Sequence, residues 1–334
     1  MLPWLQPPAF PLYLAPMAGV TDAVFRTLCK EFGADVLTTE LVSAEAILQH
    51  HARTLRHTGF TDAQRPLGIQ LFGADGARIA EAARRLVERQ QPDFIDLNFG
   101  CPVDKVVAKC GGASLLKDCP ALAGLARTVT RAIGHLVPVT AKIRIGWDAR
   151  SVNAVTVCRL LEQAGVAAVT VHGRTRAQGY SGEADWAVID ACARAVAIPV
   201  IGNGDVQSPA DVARRRRETA VAGVMIGRAA MCRPWIFREV KQALATGVTP
   251  PPMPLTNRWN LILRHCHMAV ASGDYGNERR TMTAMRARLV AYCKGFPGAR
   301  ELRQQLVRVG SLAELAQVAA QATAAAPGPP PPPS

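Results

Sequence analysis

The sequence has few aromatic residues, no long apolar run and no closely spaced cysteine pair. Phe, Trp and Tyr make up 5% of the 334 residues, so aliphatic side chains must dominate the core. No stretch of about 18 apolar residues occurs, which argues against a membrane-spanning helix. Nine cysteines without a CxxC pair predict neither a disulfide framework nor a metal site. The first residues lack the pattern of a signal peptide, so we expect a reducing, cytoplasmic location.

Positive charge is in excess and is concentrated near one end. Lys and Arg number 39 against 26 Asp and Glu, a net charge of +13. Residues 257–321 hold ten basic and four acidic side chains, and ten minus four gives +6 for this part. Such an excess favours a polyanionic partner, although a basic protein without such a partner is the alternative.

Short apolar runs alternate about eight times with amphipathic helical segments, which is typical of a (β/α)8 TIM barrel. The predicted strands lie at 11–15, 34–40, 66–72, 94–97, 138–145, 166–172, 198–202 and 222–226. A doubly wound open sheet is the alternative. It usually carries a Gly-rich phosphate loop after its first strand, and no GxGxxG follows Leu14.

The composition divides the chain into four parts. Residues 1–245 are predicted to form the α/β barrel, and residues 246–256 form a proline-rich linker. Residues 257–321 read as a small all-helical domain, and residues 322–334 as a disordered proline-rich tail. The barrel would therefore carry the chemistry, and the basic helical part would supply a surface for the polyanion.

The stretch from residue 93 to 116, DFIDLNFGCPVDKVVAKCGGASLL, carries the most distinctive local pattern. A short apolar strand is followed at once by Asn98 and Cys101, and the glycines at 111 and 112 indicate a loop leading into a helix. An amide and a thiol at a strand tip suggest a site. The alternative is that Cys101 is a small buried apolar residue, as free cysteines often are.

The other predicted strand ends are also polar or contain glycine. Gly204, Gly227 and Arg228 follow the last two strands, where barrels commonly bind a phosphate; ordinary turn glycines are the alternative. Lys142, inside a strand, would form a Schiff base or face an anionic cofactor ring. Flavin mononucleotide (FMN) fits the second possibility, an anionic cofactor ring. A lysine would stabilise the reduced, anionic ring, and Gln70 could hydrogen-bond the polar edge of that ring.

Six motifs in order closely resemble the tRNA-dihydrouridine synthases, and most of all their bacterial B-type subgroup. They are APMAGVTD (15–22), NFGCP (98–102), KIRIGW (142–147), VHGRTRAQGYSG (171–182), IPVIGNGD (198–205) and MIGRAAMCRPWIF (225–237). The resemblance implies an FMN-dependent barrel enzyme that uses NADPH or NADH to reduce a uridine of tRNA, expected in the D-loop, to 5,6-dihydrouridine. It also implies that the helical part binds tRNA.

Site residues follow from the matching positions. The resemblance implies that Cys101 is the catalytic proton donor and that three residues lie near the uracil: Asn98, Arg144 and Arg174. The positions that match flavin-binding residues are Pro16, Met17, Ala18, Gln70, Lys142, His172, Asn203, Gly204, Asp205, Gly227 and Arg228. Hydride would add at C6 of the uracil, and Cys101, whose thiol is mostly protonated at neutral pH, would protonate C5. We expect a monomer that needs neither a metal nor a membrane.

Three rival functions differ in what they require. A flavin-dependent barrel oxidoreductase for a small molecule, such as a dihydroorotate-type dehydrogenase, would not need the basic helical part. A tRNA-binding protein without catalysis would be expected to lose Cys101 or Lys142, and both are present. A Schiff-base lyase using Lys142 would be colourless, whereas a flavoprotein is yellow.

Overall fold

The computed structural model of the chain describes residues 2–6, 8–102 and 111–324, apart from the side chain of Arg53. These residues form two compact units. The first contains the residues up to 230 together with 235–249, and the second contains 231–234 together with those from 250 onward. The predicted tail begins inside the last helix, which continues to Ala324. Its residues 325–334 lie outside the described part of the chain, as does Cys110.

The strands of the first unit form one parallel sheet that closes into a barrel. They are β1 (Leu12–Leu14), β2 (Leu37–Thr38), β3 (Val42–Ser43), β4 (Leu67–Phe72), β5 (Phe94–Phe99), β6 (Val139–Arg144), β7 (Ala168–His172), β8 (Val200–Asn203) and β9 (Gly223–Ile226). The order is β1-β9-β8-β7-β6-β5-β4-β2, and β3 also pairs with β4. A parallel bridge between Tyr13 and Val36 joins the two ends of the sheet. The predicted (β/α)8 barrel is thereby confirmed.

The second barrel position is shared by β2 and β3, whereas the sequence predicted one continuous strand over 34–40. Between them, the hydroxyl of Thr39 accepts the backbone N–H of Gln70 at 3.1 Å and donates to the carbonyl of Glu40 at 2.9 Å. A side chain therefore replaces a backbone partner, and the regular strand pairing is interrupted there. The Oε2 of Glu40 accepts the backbone N–H of Gly19 at 2.9 Å, in the turn that follows β1.

Helices surround the sheet, and several begin at an aspartate. They are α1 (Ala23–Glu31), α2 (Ala44–Leu48), α3 (Ala52–His57), α4 (Gly76–Gln90), α5 (Cys119–Ile133), α6 (Ala154–Gln163), α7 (Trp186–Ala195), α8 (Pro209–Glu218), α9 (Arg228–Cys232) and α10 (Ile236–Thr246). The carboxylates of Asp22, Asp75, Asp118 and Asp185 accept N–H groups of the first turns of α1, α4, α5 and α7. These caps satisfy donors that the helix itself leaves unpaired.

Alternation along the strands divides the first unit into two layers. One set of aliphatic side chains packs between the sheet and the helices. The other set points into the barrel, whose amino-terminal end is filled by Leu2 and Leu5 packed with Tyr13, Phe94 and Met225. Side chains on one face of a strand recur every second residue. The polar side chains that follow these apolar ones on the inward face, two or more residues further along each strand, therefore lie toward the carboxyl-terminal mouth of the barrel.

The second unit contains four long helices, α11 (Leu255–Ser272), α12 (Glu278–Tyr292), α13 (Ala299–Leu306) and α14 (Leu312–Ala324). Their core includes Trp259, Met282, Leu289 and Tyr292. In the part of the chain that the structure describes, no helix is both long enough and apolar enough to cross a membrane.

Three basic side chains of the second unit are buried or hydrogen-bonded to backbone carbonyls of the same unit. Arg258 donates to the carbonyls of Tyr292 and Lys294, and Arg286 donates to those of Arg308 and Val309. Arg288 is only 3% exposed. The remaining seven basic residues of the +6 segment are exposed: Arg264, Arg279, Arg280, Lys294, Arg300, Arg303 and Arg308. The charge available to an external partner is therefore smaller than the sequence count suggests.

Candidate active site

A chain of hydrogen bonds links three side chains near the carboxyl ends of β4 and β5. The Nε2 of Gln70 donates to Oδ2 of Asp96 at 2.7 Å, and the Nδ2 of Asn98 donates to Oε1 of Gln70 at 2.6 Å. The Oδ1 of Asn98 accepts the backbone N–H groups of Gly100 and Cys101, at 3.1 and 2.8 Å. A carboxylate inside the barrel is thus connected to the segment that carries Cys101.

Asp96 is a polar residue of this site that the sequence analysis missed. It is 4% exposed, and its second oxygen accepts the hydroxyl of Thr140 at 2.6 Å. Burial raises the pKa of Asp96, and the hydrogen bonds from Thr140 and Gln70 and the charge of Lys142 oppose that rise. The available signal was its spacing: an aspartate two residues before Asn98 shares the inward face of β5.

Cys101 lies just beyond β5, as the sequence predicted, and is 9% exposed. Its backbone carbonyl accepts the N–H of Ala113 at 3.2 Å. The preceding carbonyl, that of Gly100, accepts Nε of Arg144 at 3.0 Å. Together with the bond from Asn98, these contacts hold the backbone on both sides of the thiol. Its role as a proton donor stays a prediction.

Lys142 lies on β6, opposite β8 across one intervening strand. Its Nζ donates to Oδ1 of Asn203 at 3.1 Å, and the amide of Asn203 is oriented by donating Nδ2 to the carbonyl of Met225 at 2.8 Å. Burial, followed by the charge of Arg144, lowers the pKa of Lys142 to about 8. Within the described residues, no carboxylate forms an ion pair with this ammonium. It is therefore a cation held in place by neutral groups.

His172 and Arg144 end neighbouring strands, β7 and β6. Burial, then the charges of Lys142, Arg144, Arg174 and Arg228, lower the pKa of His172 to about 2. The imidazole is therefore neutral across the physiological range, and it can hydrogen-bond a ligand but adds no charge. Arg144 is 2% exposed, and Nη1 donates to two carbonyls of the loop after β7, at 2.8 and 2.9 Å.

The low pKa of His172 predicts a measurable pH dependence of stability. Its folded-state pKa is about 2 against an ordinary 6.5, so the unfolded chain binds an extra proton below that value. Stability is lost as the pH falls, by about 2 kcal/mol between about pH 6.5 and about pH 5. We expect His172→Gln to lack this part of the loss in urea unfolding at several pH values. The exposed His135→Gln variant should keep it; equal slopes for all three proteins would contradict the assignment.

A buried arginine and a carboxylate connect the loops after β7 and β8. Nη2 of Arg174 donates to both oxygens of Asp205, at 2.9 and 2.8 Å, and to the carbonyl of Gly182 at 2.6 Å. Arg228 also donates to Asp205, at 2.8 Å. Burial alone would raise the pKa of Asp205, but the N–H of Ala184 and the two arginines lower it below its usual value. Asp205 therefore positions both arginines.

Glycine conformation and close packing shape the remaining predicted positions. Gly204 has φ +127°, which only glycine adopts readily. Met17 is fixed by hydrogen bonds between its backbone and the hydroxyl of Thr21, whereas Ala18 in the same turn is exposed. A Cβ at Gly227 would lie 3.6 Å from the sulfur of Met17. Pro16, between β1 and this turn, is partly exposed. The first and last strands thus bring their loops together.

Tyr180 is 60% exposed in the loop after β7. The guanidinium carbons of Arg228 and Arg144 lie 5.0 and 5.9 Å from the centre of its ring, and the ring of His172 lies 6.4 Å away. An exposed ring supported by cations can stack on a base.

The four-arginine run on α8 is already engaged with neighbouring side chains. Arg214 pairs with Asp211 at 3.1 Å, and Arg217 pairs with Glu218 at 3.0 Å. Arg215 lies over the ring of Trp186 and Arg216 over that of Phe10, at 4.5 and 5.6 Å from the ring centres. These contacts favour the interpretation of a solvated helix face over an RNA-binding one.

The donor set at the mouth fits an anionic ring that carries a phosphate. Lys142 presents a cation whose hydrogen-bond partner is neutral. The buried Nη1 of Arg174 has no hydrogen-bond partner within the described residues. A lysine without a carboxylate partner, one buried guanidinium N–H group without an acceptor, glycine-bearing turns at Gly204 and Gly227, and neutral amides suit such a ligand better than a cationic or wholly apolar one.

The closed barrel and the polar groups at the carboxyl ends of its strands define a (β/α)8-barrel enzyme. A likeness at the level of the fold is found with histamine dehydrogenase from Rhizobium sp. 4-9. The TM-score is 0.52 at 15% identity, covering 77% of this chain and 48% of that chain.

Sequence comparison identifies the family. The family model described as "Dihydrouridine synthase (Dus)" matches residues 13–326. tRNA-dihydrouridine synthase B of Pseudomonas aeruginosa is 43% identical over 298 residues, covering 89% of this chain and 88% of that protein. The probable tRNA-dihydrouridine synthase of Aquifex aeolicus is 37% identical over 304 residues, covering 90% and 92%. The chain belongs to the dihydrouridine synthase family and is a flavin-dependent oxidoreductase. The resemblance seen in its motifs is confirmed.

Proposed function

We propose that this enzyme uses FMN and NADPH, or NADH, to reduce a D-loop uridine of tRNA to 5,6-dihydrouridine. The observation that carries the proposal is the hydrogen-bonded set of Gln70, Asn98 and the Cys101 backbone beside Lys142. It combines a thiol, base-orienting amides and a cation at one mouth. Family membership, and relatives named tRNA-dihydrouridine synthase B, support the same reaction. The enzyme would act as a monomer in the cytoplasm, without a metal.

The cofactor would be held by residues from both sides of the mouth. Lys142, Gln70 and neutral His172 would face the ring together with the turn from Pro16 to Ala18. The positions assigned to the phosphate and its approach are Asn203, Gly204, Asp205, Gly227 and Arg228. When bound, FMN supplies the hydride that reduces C6 of the uracil. Lys142 would favour binding of this anion because its ammonium hydrogen-bonds the neutral amide of Asn203 and forms no ion pair within the described residues.

The protein's own groups would orient the base and supply the proton. The Nδ2 of Asn98 has one hydrogen committed to Gln70 and a second hydrogen for a base carbonyl. Cys101 would donate its thiol proton to C5, and a positioned acid typically contributes a factor of about 10² to 10⁴. Arg144 and Arg174 would act near the base by holding the loop after β7, since both bond its carbonyls. Tyr180 would stack on RNA.

The direct test is reduction of tRNA by the purified protein. Yellow protein with bound FMN should form dihydrouridine in tRNA from a strain lacking this modification, and only when NADPH or NADH is supplied. Mapping the product by sequencing would identify the uridine. Reduction of the oxidised flavin by a free dihydroorotate-type substrate, with no product in tRNA, would instead support a small-molecule oxidoreductase. Colourless active protein would favour the Schiff-base alternative.

The exposed charges of the second unit predict how tRNA binding responds to salt. Replacing Arg279 and Arg280 by glutamine removes two exposed cations at the start of α12. We expect weaker tRNA binding and a salt-dependence slope lower by roughly 1 for each phosphate that is no longer neutralised. FMN content should not change. Arg214→Gln with Arg217→Gln is the matched control, since these two are paired with carboxylates; an equal effect of both pairs would contradict a specific role for α12.

A further inference from the structure

We propose that Asp96 is a positioning residue, whose acceptor-only carboxylate sets the direction of every hydrogen bond between it and the Cys101 backbone. The inference rests on the proposed function only for its consequence in catalysis. It concerns a side chain that lies inside the barrel and, by its position, contacts neither the base nor the thiol directly. The pattern of hydrogen-bond donors and acceptors that supports this role is formed by protein groups alone and needs no bound molecule.

The direction follows from the chemistry of each group in turn. Both oxygens of Asp96 accept a hydrogen bond, one from Gln70 and one from Thr140, so Gln70 must turn Nε2 toward Asp96 and Oε1 away from it. The Oε1 of Gln70 can only accept, so Asn98 must present Nδ2 to it. This leaves Oδ1 of Asn98 facing the backbone N–H groups of Gly100 and Cys101, which can only donate. One carboxylate thus determines two amide orientations.

Burial makes the pattern strict. Gln70 is 0% exposed, Asp96 4% and Asn98 7%, so water offers little replacement for a misdirected bond. The hydroxyl of Thr140 occupies the other oxygen of Asp96 at 2.6 Å. If Gln70 and Asn98 were both reversed, an amide NH2 of Asn98 would face two backbone N–H donors. That arrangement cannot form hydrogen bonds, and the segment carrying Cys101 would lose its anchor.

Asp96→Asn is the sharpest single change, because it keeps size and shape but allows a donor to face Gln70. Thr140→Val is the matched control: it also removes one hydrogen bond of Asp96, but it introduces no amide donor facing Gln70. The readout is hydrogen exchange of the Gly100 and Cys101 amides in protein freed of flavin. We expect Asp96→Asn to speed their exchange by about tenfold, the effect of one lost hydrogen bond, and Thr140→Val to leave them unchanged.

A double variant keeps the test decisive if Asp96→Asn alone does not fold. In Asp96→Asn with Gln70→Glu, the new asparagine can donate to the new carboxylate, which again can only accept from Asn98. If Asp96 sets the directions of these hydrogen bonds, hydrogen exchange of the Cys101 amide should be slow in this double variant. Fast exchange in the double variant, or equal effects of Asp96→Asn and Thr140→Val, would overturn it.

The catalytic consequence is measured separately from the exchange. If the wild-type enzyme modifies tRNA, Asp96→Asn should lower kcat by roughly 10-fold to 100-fold and leave KM for tRNA nearly unchanged. The substitution would misorient the segment that carries Cys101 and would not remove a group that binds tRNA. Thr140→Val should stay within about threefold of wild type. If the wild type formed no dihydrouridine, the proposed function would fail while the exchange result stood. If the wild type were active and kcat of Asp96→Asn were unchanged, the positioning role would be refuted.

Discussion

Cys101→Ala is expected to bind FMN and to be reduced by NADPH as wild type is, yet to form dihydrouridine at least roughly 100-fold more slowly. The reason is that different residues at the mouth would bind the cofactor and supply the proton. The thiol belongs to the segment after β5, which Asn98 and Arg144 hold in place. The positions proposed for the cofactor lie on other strands and loops. FMN, when bound, would supply the hydride for C6 of the uracil, and the reduction would be completed only when C5 is protonated; alanine has no proton to give.

The two half-reactions separate this explanation from general damage. Anaerobic mixing with NADPH should bleach the flavin of Cys101→Ala at the wild-type rate, and later addition of tRNA should restore the yellow colour slowly. Cys119→Ala is the control. Its sulfur is half-buried and contacts the carbonyl of Leu116 and the amide of Asn153, away from the Asn98 anchor. Wild-type reoxidation by Cys101→Ala would remove the thiol from the mechanism.

Much of the barrel could be predicted because local pattern and tertiary structure agree there. Apolar runs such as 66–72 and 138–145 are long enough for buried strands, and aspartates mark the helix starts. Strand tips could be predicted for the same reason, since a closed parallel barrel brings all carboxyl ends to one face. Asn98, Lys142 and His172 therefore lie on the neighbouring strands β5, β6 and β7, although they are far apart in the chain.

The roles of individual polar groups could not be predicted, because they depend on partners on other strands. Gln70 and Asp96 are 26 residues apart, and Lys142 and Asn203 are 61 apart. The resemblance implies that Arg144 and Arg174 lie near the uracil, and the structure shows that each donates to carbonyls of the loop after β7. Asp96 looked like an exception within an apolar run. Only the register between β4, β5 and β6 shows what each one contacts.

Lys142→Met is expected to weaken FMN binding and to abolish its pH dependence. In wild type the pKa of Lys142 is lowered to about 8 by burial and by Arg144. The phosphate of FMN is already doubly ionised above about pH 7, so it adds little change there. As the pH rises through the pKa, the protonated fraction of Lys142 falls about tenfold between about pH 7 and about pH 9. The affinity of the flavin-free protein for FMN should fall with it.

The sign of this effect is fixed by linkage. An anion that binds the protonated lysine more tightly must raise its pKa on binding, so proton uptake accompanies binding above about pH 8. Fluorescence titration at several pH values should show weak, flat affinity for Lys142→Met. Lys241→Met should follow wild type, because Lys241 pairs with Asp35 on the surface and is 46% exposed. A wild-type affinity that stayed constant to about pH 9 would mean that this ammonium does not contribute to FMN binding, since losing its charge would then cost the ligand nothing.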